Sequence, residues 1–479
     1  MAYIETALFL TLAIFAWTVL HAVFLDPLRG YPGPRIAAIS RIPYWIATLR
    51  GNEARWMQSL HRTYGPVVRY GPNDLSYTSA QAWRDIYGVK KGRQENPKAS
   101  KFYPPPASMI SANQEEHAQL RRIIAPAFSG KAVREHAPVL QRCADLMVAN
   151  IRKLGHAHVP VEMVKMYNLT TFDIMGELVY GEPLGMLESS EYTPWVATIL
   201  QFFTLVPVVQ FVEYYSILKV LFTAFEPKSW RELRTTHQRY SADRLDLRLA
   251  KGSEKPDVWN SLGKEEDGAV MTKSQMHTHA DILMTAGTET SASLLSGLTY
   301  LLLTNPRCME ILTSEIRGSF SSSDQIDLDS ITKMPYLNAC IEEGLRVYPP
   351  VPSGFPRQVA PGGNAIMGKW VPPGTCVSVH TTSSYRDPNN FRDPDQFIPE
   401  RWMGDAAFAN DQRDARQPFS IGPRDCLGRS MAWHQMRLLL AKVVFSFDLD
   451  LLDKTQDWTD QDVYITWEKK PLMVYATPC

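Results

Sequence analysis

The chain has 479 residues, 45% of them hydrophobic, with 50 lysines and arginines set against 50 aspartates and glutamates. That apolar content excludes a disordered tail, and zero formal net charge argues against a nucleic-acid binder working by phosphate neutralisation. Six scattered cysteines without close pairs indicate neither a disulfide framework nor a zinc cluster, and reduced thiols in a cytosolic setting are expected.

From Thr6 to Leu25 the chain reads TALFLTLAIFAWTVLHAVFL. This apolar run of about 20 residues can cross a hydrocarbon core at about 1.5 Å per residue. No basic stretch precedes it, so a membrane anchor is predicted in preference to a cleaved signal peptide. Glu5 lies before the span and Arg29, Arg35 and Arg41 follow it, which orients the remainder toward the cytoplasm. In Leu28-Arg-Gly-Tyr-Pro-Gly-Pro-Arg35, two prolines around a glycine stiffen the chain into a hinge.

β-Rich residues broken by Gly-Pro-Asn predict a small hairpin over Val67 to Tyr77. From about Gln114 to Leu345 apolar residues recur at helical spacing. Within that region, Gly252 to Gly268 is charged and glycine-containing, the nearest approach to a linker, and a helix of roughly 50 Å is predicted from about Met271 to Thr304. Strand patterns return around Phe355 to Val379 and at Val463 to Trp467. The fold class is therefore mainly α with small β-sheets at the margins. The apolar stretch from Leu200 to Val212 reads equally as an access lid that also touches a membrane, or as a core helix.

The chemistry concentrates near the C-terminus, in Phe419-Ser-Ile-Gly-Pro-Arg-Asp-Cys426-Leu-Gly428, just before a helical run. A helix N-terminus and free amides favour a thiolate at Cys426, while Gly422 and Gly428 let the backbone approach a flat partner. A thiolate so held suits iron ligation. This segment matches F-x-x-G-x-R-x-C-x-G at every fixed position and resembles the signature of the haem-thiolate monooxygenases, the cytochromes P-450. The overall pattern is similar to that of fungal secondary-metabolism members of the family.

Other segments resemble the family in order along the chain. Ala286-Gly-Thr-Glu-Thr-Ser291 is similar to the oxygen-activation segment of its long helix. Thr290 can return its hydroxyl to a carbonyl one turn back and donate a hydrogen bond where dioxygen is split, and Glu289 beside it suits a proton path. Gly287, which costs about 1 kcal/mol of helix propensity against alanine, implies a need for room there. Glu343-Gly-Leu-Arg346 and Pro399-Glu-Arg401-Trp resemble E-x-x-R and P-E-R-F, with Glu343, Arg346 and Arg401 as supports of the cysteine loop. His117-Ala-Gln-Leu-Arg121 occupies the place of W-x-x-x-R, with a titratable histidine in place of tryptophan.

The resemblance implies a P-450 fold, preceded by one N-terminal transmembrane helix. It divides the chain into an anchor at 1–27, a hinge at 28–35 and one catalytic domain at 36–479. It implies haem b ligated through Cys426, with Phe419, Gly428, His117, Arg121, Arg357 and Arg424 around the cofactor and the three arginines facing its propionates. Thr290 and Glu289 would be catalytic, O2 a co-substrate and a hydrophobic small molecule the substrate. At this length no fused flavoprotein is expected, so electrons from NADPH would arrive through a separate cytochrome reductase. Arg122, Lys131, Arg134, Arg429 and Arg437 are candidates for its docking patch. The implied location is the endoplasmic reticulum membrane, single-pass, with the catalytic domain cytosolic and no nucleic acid involved. Two alternatives stand beside this reading: a haem-thiolate isomerase or dehydratase working without a reductase, and a non-catalytic haem sensor. By the resemblance, Phe102 to Ile110, between the first hairpin and His117, would overhang the haem, and Val351 to Phe355 would enter beside it.

Overall fold

The computed structural model describes residues 2–89, 92, 94–103, 108–252, 256–260, 262 and 271–479. Part of the predicted Phe102 to Ile110 overhang and most of the Gly252 to Gly268 stretch therefore lie outside the described residues. Where that stretch is described it is docked. Val258 and Trp259 are buried, the Trp259 indole donating to the Val179 carbonyl at 2.6 Å, and Arg248 pairs with Asp257 at 2.5 Å.

The core is built around two crossing helices. Met163–Tyr180 has every side chain buried except Lys165, as expected for a helix apolar on nearly all sides. It packs along Lys273–Leu303, a helix of 31 residues, or about 46 Å at 1.5 Å per residue. Its start is set by a capping box in which Thr272 accepts from the Gln275 amide at 3.2 Å and Gln275 accepts from the Thr272 amide at 2.8 Å. Two glycines allow the close approach of its neighbours. A Cβ on Gly297 would lie 2.2 Å from the Tyr348 ring, and one on Gly287 would lie 2.7 Å from the Met175 sulfur. The space at Gly287 is thus taken by Met175 from the crossing helix, where the sequence suggested room for a ligand.

The predicted hairpin is present as Val67–Gly71 and Asp74–Tyr77, antiparallel with a bulge between Arg69 and Gly71. It joins Cys376–Val379, which runs parallel to Asp74–Tyr77, and then Arg357–Gln358. Lys98 bridges to Arg357 on the outer side of that last strand. The alternating Val463 to Trp467 segment is two strands, Val463–Tyr464 and Thr466–Trp467, folded on each other about Ile465 at φ +83°. A second sheet, Val161–Glu162, Met473–Pro478 and Phe447–Leu451, was not predicted, although Phe447-Asp-Leu-Asp-Leu451 alternates apolar and polar residues.

Ala2–Leu20 is helical, and its described large apolar side chains, Phe9, Ile14 and Trp17 among them, are exposed. Pro194–Tyr214, which carries the Leu200 to Val212 stretch, is the helix that is long and apolar enough to cross a membrane among the described residues. It is no core helix: only Trp195, Val196, Ile199 and Pro207 are buried. Its C-terminal end packs Phe211 and Tyr214 edge-on against Trp45.

Candidate active site

The cysteine loop is a tight turn closed by the Cys426 amide donating to the Phe419 carbonyl at 2.8 Å. Gly422 makes the turn possible. It sits at φ +81°, and a Cβ there would lie 2.1 Å from the Tyr87 carbonyl oxygen, so no other residue fits. Gly428 then opens the helix Arg429–Ser446. Cys426 presents open surface to a cavity of about 380 Å³ while protein encloses it on its other sides. Burial pushes its thiol above the usual range, against the Gly428 amide and Arg429.

Thr290 lines the same cavity and returns its hydroxyl to the Ala286 carbonyl at 2.7 Å, as its spacing predicts. Ala286 and Gly287 form a nearly side-chain-free strip beside it, and Val351, Phe355, Met109 and Ile110 add apolar wall. Glu289 is elsewhere. It does not line the cavity, because adjacent residues of a helix point about 100° apart. Its buried carboxylate is paired with Lys469 and accepts from Ser293 at 3.1 Å.

Behind the loop, Glu343 receives a bidentate pair from Arg346 at 2.7 and 2.9 Å, and further bonds from Arg401, the Trp402 indole and the Ile398 amide. Burial alone would raise its carboxyl, but Arg346 and Arg401 overrule it and hold it below the carboxylate range. Arg346 also donates to the carbonyls of Tyr385, Pro394 and Gln396, which lead into the cysteine loop.

Arg121, Arg357, Arg424 and His117 all reach the cavity wall, as do Phe419 and Gly428. Arg121 is held by Asp425, at 2.8 Å to its carbonyl and 2.5 Å to its carboxylate. Arg357 and Arg424 share one carboxylate, Glu95, at 2.8 and 2.5 Å. Arg357 Nε and Arg424 Nη2 remain buried without a hydrogen-bond partner. His117 is pushed down to about 4 by burial and by Arg424, so it is neutral near pH 7; the titratable contact expected from its sequence position is absent in that range. Sequence reading missed Glu95 and Lys98. Neither lies in a spaced motif; pairing of the segment around Lys98 with Arg357 brings Lys98 to the wall, and Glu95 stands behind it between Arg357 and Arg424.

The family model described as Cytochrome P450 matches residues 32–475. The chain belongs to the cytochrome P450 family. It is similar to the cytochrome P450 monooxygenase efuB of Hormonema carpetanum, 44% identical over 465 residues covering 95% of this chain and 92% of the relative. It is also similar to the cytochrome P450 monooxygenase FUM2 of Gibberella moniliformis, 40% identical over 96% of this chain and 99% of that one. A third relative is the averantin hydroxylase of Dothistroma septosporum, 38% identical over 97% and 90%. The chain is thus a cytochrome P450 monooxygenase, an enzyme whose family implies haem with a cysteine ligand, a redox partner and a small-molecule substrate. The cavity fits that group. A thiol lies on its wall, a small-residue strip borders it, and two buried guanidinium nitrogens lack partners where carboxylates from outside the chain would satisfy them.

Proposed function

We propose that this P450 is a membrane-anchored haem-thiolate monooxygenase of fungal natural-product biosynthesis. In this reading it hydroxylates or epoxidises a hydrophobic small molecule, taking electrons from NADPH through a separate reductase. The observation that carries it is the shared cavity of Cys426 and Thr290, closed mainly by apolar side chains. Cys426 would hold the iron, and Arg121, Arg357, Arg424 and His117 would hold the cofactor's acidic edge. When bound, haem b supplies the one-electron and dioxygen chemistry that no side chain can.

The chain's own part is to orient, dry and protonate. Ala286 and Gly287 keep the wall low, Met109, Ile110, Val351 and Phe355 exclude water and select apolar substrates, and the Thr290 hydroxyl, whose hydrogen is held by the Ala286 carbonyl, offers an acceptor at the wall and becomes a donor there on rotating away from that carbonyl. Glu289 would serve only as a proton reservoir behind the helix, with Lys469 and Ser293, since it does not reach the cavity. The exposed apolar faces of Ala2–Leu20 and Ser216–Phe225, with Ile217, Val220 and Phe225 outward, and exposed Phe202 on the half-buried Pro194–Tyr214, support a membrane surface for anchor and catalytic domain together. That surface is consistent with an anchor at 1–27, a hinge at 28–35 and a domain at 36–479 in the endoplasmic reticulum membrane. Arg122, Lys131, Arg134 and Arg429 are exposed and support a docking patch for the reductase, whereas Arg437 is half-buried and donates to Asn338 at 2.6 Å.

The test is the reduced carbon-monoxide spectrum of the full chain, followed by turnover with reductase and NADPH on a panel of natural products. A thiolate-type spectrum that Cys426→Ser abolishes is expected. A histidine-type spectrum would overturn the ligand assignment, and turnover without NADPH or reductase would move the enzyme to the isomerase class.

A further inference from the structure

The apolar wall at Val351 to Phe355 is fastened from behind by a buried carboxylate. Val351 and Phe355 line the cavity, and Ser353 between them turns the other way, as alternate residues of an extended segment do. Its hydroxyl donates at 2.6 Å to Glu53, 300 residues away along the chain. Glu53 opens the helix Glu53–Tyr64, where unpaired amides favour an anion, and His380 faces both of its oxygens at 3.3 Å. The His380 ring is itself fixed, since its Nδ1 accepts from the Ser383 amide at 3.2 Å, which leaves the proton on Nε2 toward Glu53. Burial would raise the Glu53 carboxyl, but His380 and the Ser353 hydroxyl hold it below the usual range. The carbonyls of the same segment are tied to the short helix Thr381–Tyr385, Thr381 donating its hydroxyl to Ser353 at 2.7 Å and Thr382 to Pro352 at 2.8 Å. A Cβ on Gly354 would lie 2.8 Å from the Val379 carbonyl oxygen, so the segment lies close against the end of the strand Cys376–Val379.

We propose, on the haem-thiolate reading, that Glu53, acting through Ser353, holds Val351 and Phe355 at a fixed reach into the cavity and thereby determines how tightly a bulky apolar substrate is gripped. Neither Glu53 nor Ser353 lines the cavity, so both are positioning residues. The two carbonyl ties fix the backbone at Pro352 and Ser353 and leave the segment able to pivot about them. A hydrogen bond to a charged acceptor, the stronger kind, closes that freedom from the side opposite the substrate. Ser353 is half-buried, so a hydroxyl released from Glu53 reaches water instead of being orphaned, and Glu53 keeps His380 and its helix N-terminus. Cutting the tie therefore spares the fold and costs the wall its order.

The experiment titrates the full-chain holoprotein by calorimetry with two probes: imidazole, which is too small to need the wall, and 1-tritylimidazole, whose phenyl rings press on it. Ser353→Ala and Glu53→Gln are each expected to weaken 1-tritylimidazole about tenfold, because a loose wall must be ordered before the rings can pack on it, while imidazole changes by less than about twofold. The double variant Glu53→Gln/Ser353→Ala should weaken it no further than either single one, since both cut the same tie. Ser353→Thr, which keeps the hydroxyl, should bind both probes as the parent does. The proposal is overturned if Ser353→Ala shifts the ratio of the two affinities by less than about twofold. It is also overturned if both probes weaken together, as a general loosening of the fold would make them do, or if the two single effects add. Should Glu53→Gln fail to fold, Ser353→Ala and its rescue by Ser353→Thr decide alone. A parent that binds both probes without a thiolate-type carbon-monoxide spectrum would instead defeat the haem-thiolate reading, and the ratio of affinities would still report on the wall.

Discussion

Two buried charge clusters flank the cysteine loop, and they are built differently. Around Glu343, one carboxylate meets two arginines, an indole and an amide, and Arg346 and Arg401 have further acceptors in backbone carbonyls and Asp411. Around Glu95, one carboxylate also meets two arginines, yet Arg357 Nε and Arg424 Nη2 are left without partners and Lys98 has none. A network that satisfies itself supports a structure; one that stops short of satisfaction on a cavity wall is arranged for a guest. The same residue types serve both, so composition alone does not tell them apart.

The comparison is broken most directly at Glu343. Glu343→Ala leaves the buried Arg346 guanidinium without a carboxylate, while Arg401 keeps Asp411, and is expected to cost about 3–5 kcal/mol in urea unfolding, measured on the chain without bound cofactor. Arg424→Met should show the opposite division, a smaller loss of stability, because Arg357 still neutralises Glu95, with faster hemin loss. If it unfolds the protein as readily as Glu343→Ala, the two clusters are alike. At the cavity, Thr290→Ala removes one hydrogen bond to the Ala286 carbonyl and should change stability by about 1 kcal/mol or less. Product formed per NADPH should meanwhile fall about tenfold or more, with peroxide released, and an unchanged yield would remove Thr290 from the proton path.

Gly287→Ala distinguishes packing from propensity. Helix propensity alone would stabilise by about 1 kcal/mol, whereas collision with Met175 should cost about 1–3 kcal/mol, read in the thermal midpoint. The smallest expected effect is in pH. His117 stays neutral in the native chain down to about 4, while the unfolded histidine takes its proton near 6.5. Below that point the unfolded state binds more protons, so stability is lost as pH falls from 6.5 toward 4, with a slope of at most about 1.4 kcal/mol per pH unit. His117→Gln should reduce the slope in this window, to which buried His61, His136 and His279 and half-buried His434 also contribute, and leave pH 7 to 8 untouched.

Much of the site was legible because its parts are local. The spacing from Phe419 to Gly428 contains a whole turn, Thr290 finds Ala286 four residues back, and Glu343 finds Arg346 three residues on. What the residues touch across the chain was harder to read. Gly287 lines the cavity but Met175 occupies its Cβ direction; Glu289 suited a proton path and is turned to Lys469; Leu200 to Val212 left lid and core equally open, and the helix is mostly half-buried. Glu95 and Lys98 carried no signal at all.

From its sequence alone, this protein's mainly helical fold class, its family, the cysteine proposed as its metal ligand and its apolar N-terminus follow, since each depends on residue type and on spacing within one or two turns. Which way a side chain turns from its helix, which charges are already matched and which still await a partner were decided only in the tertiary structure. The physical reason is that Coulomb forces and packing act through space, and the folded chain brings together residues 95, 98, 357 and 424, whose distance along the sequence says nothing of their separation.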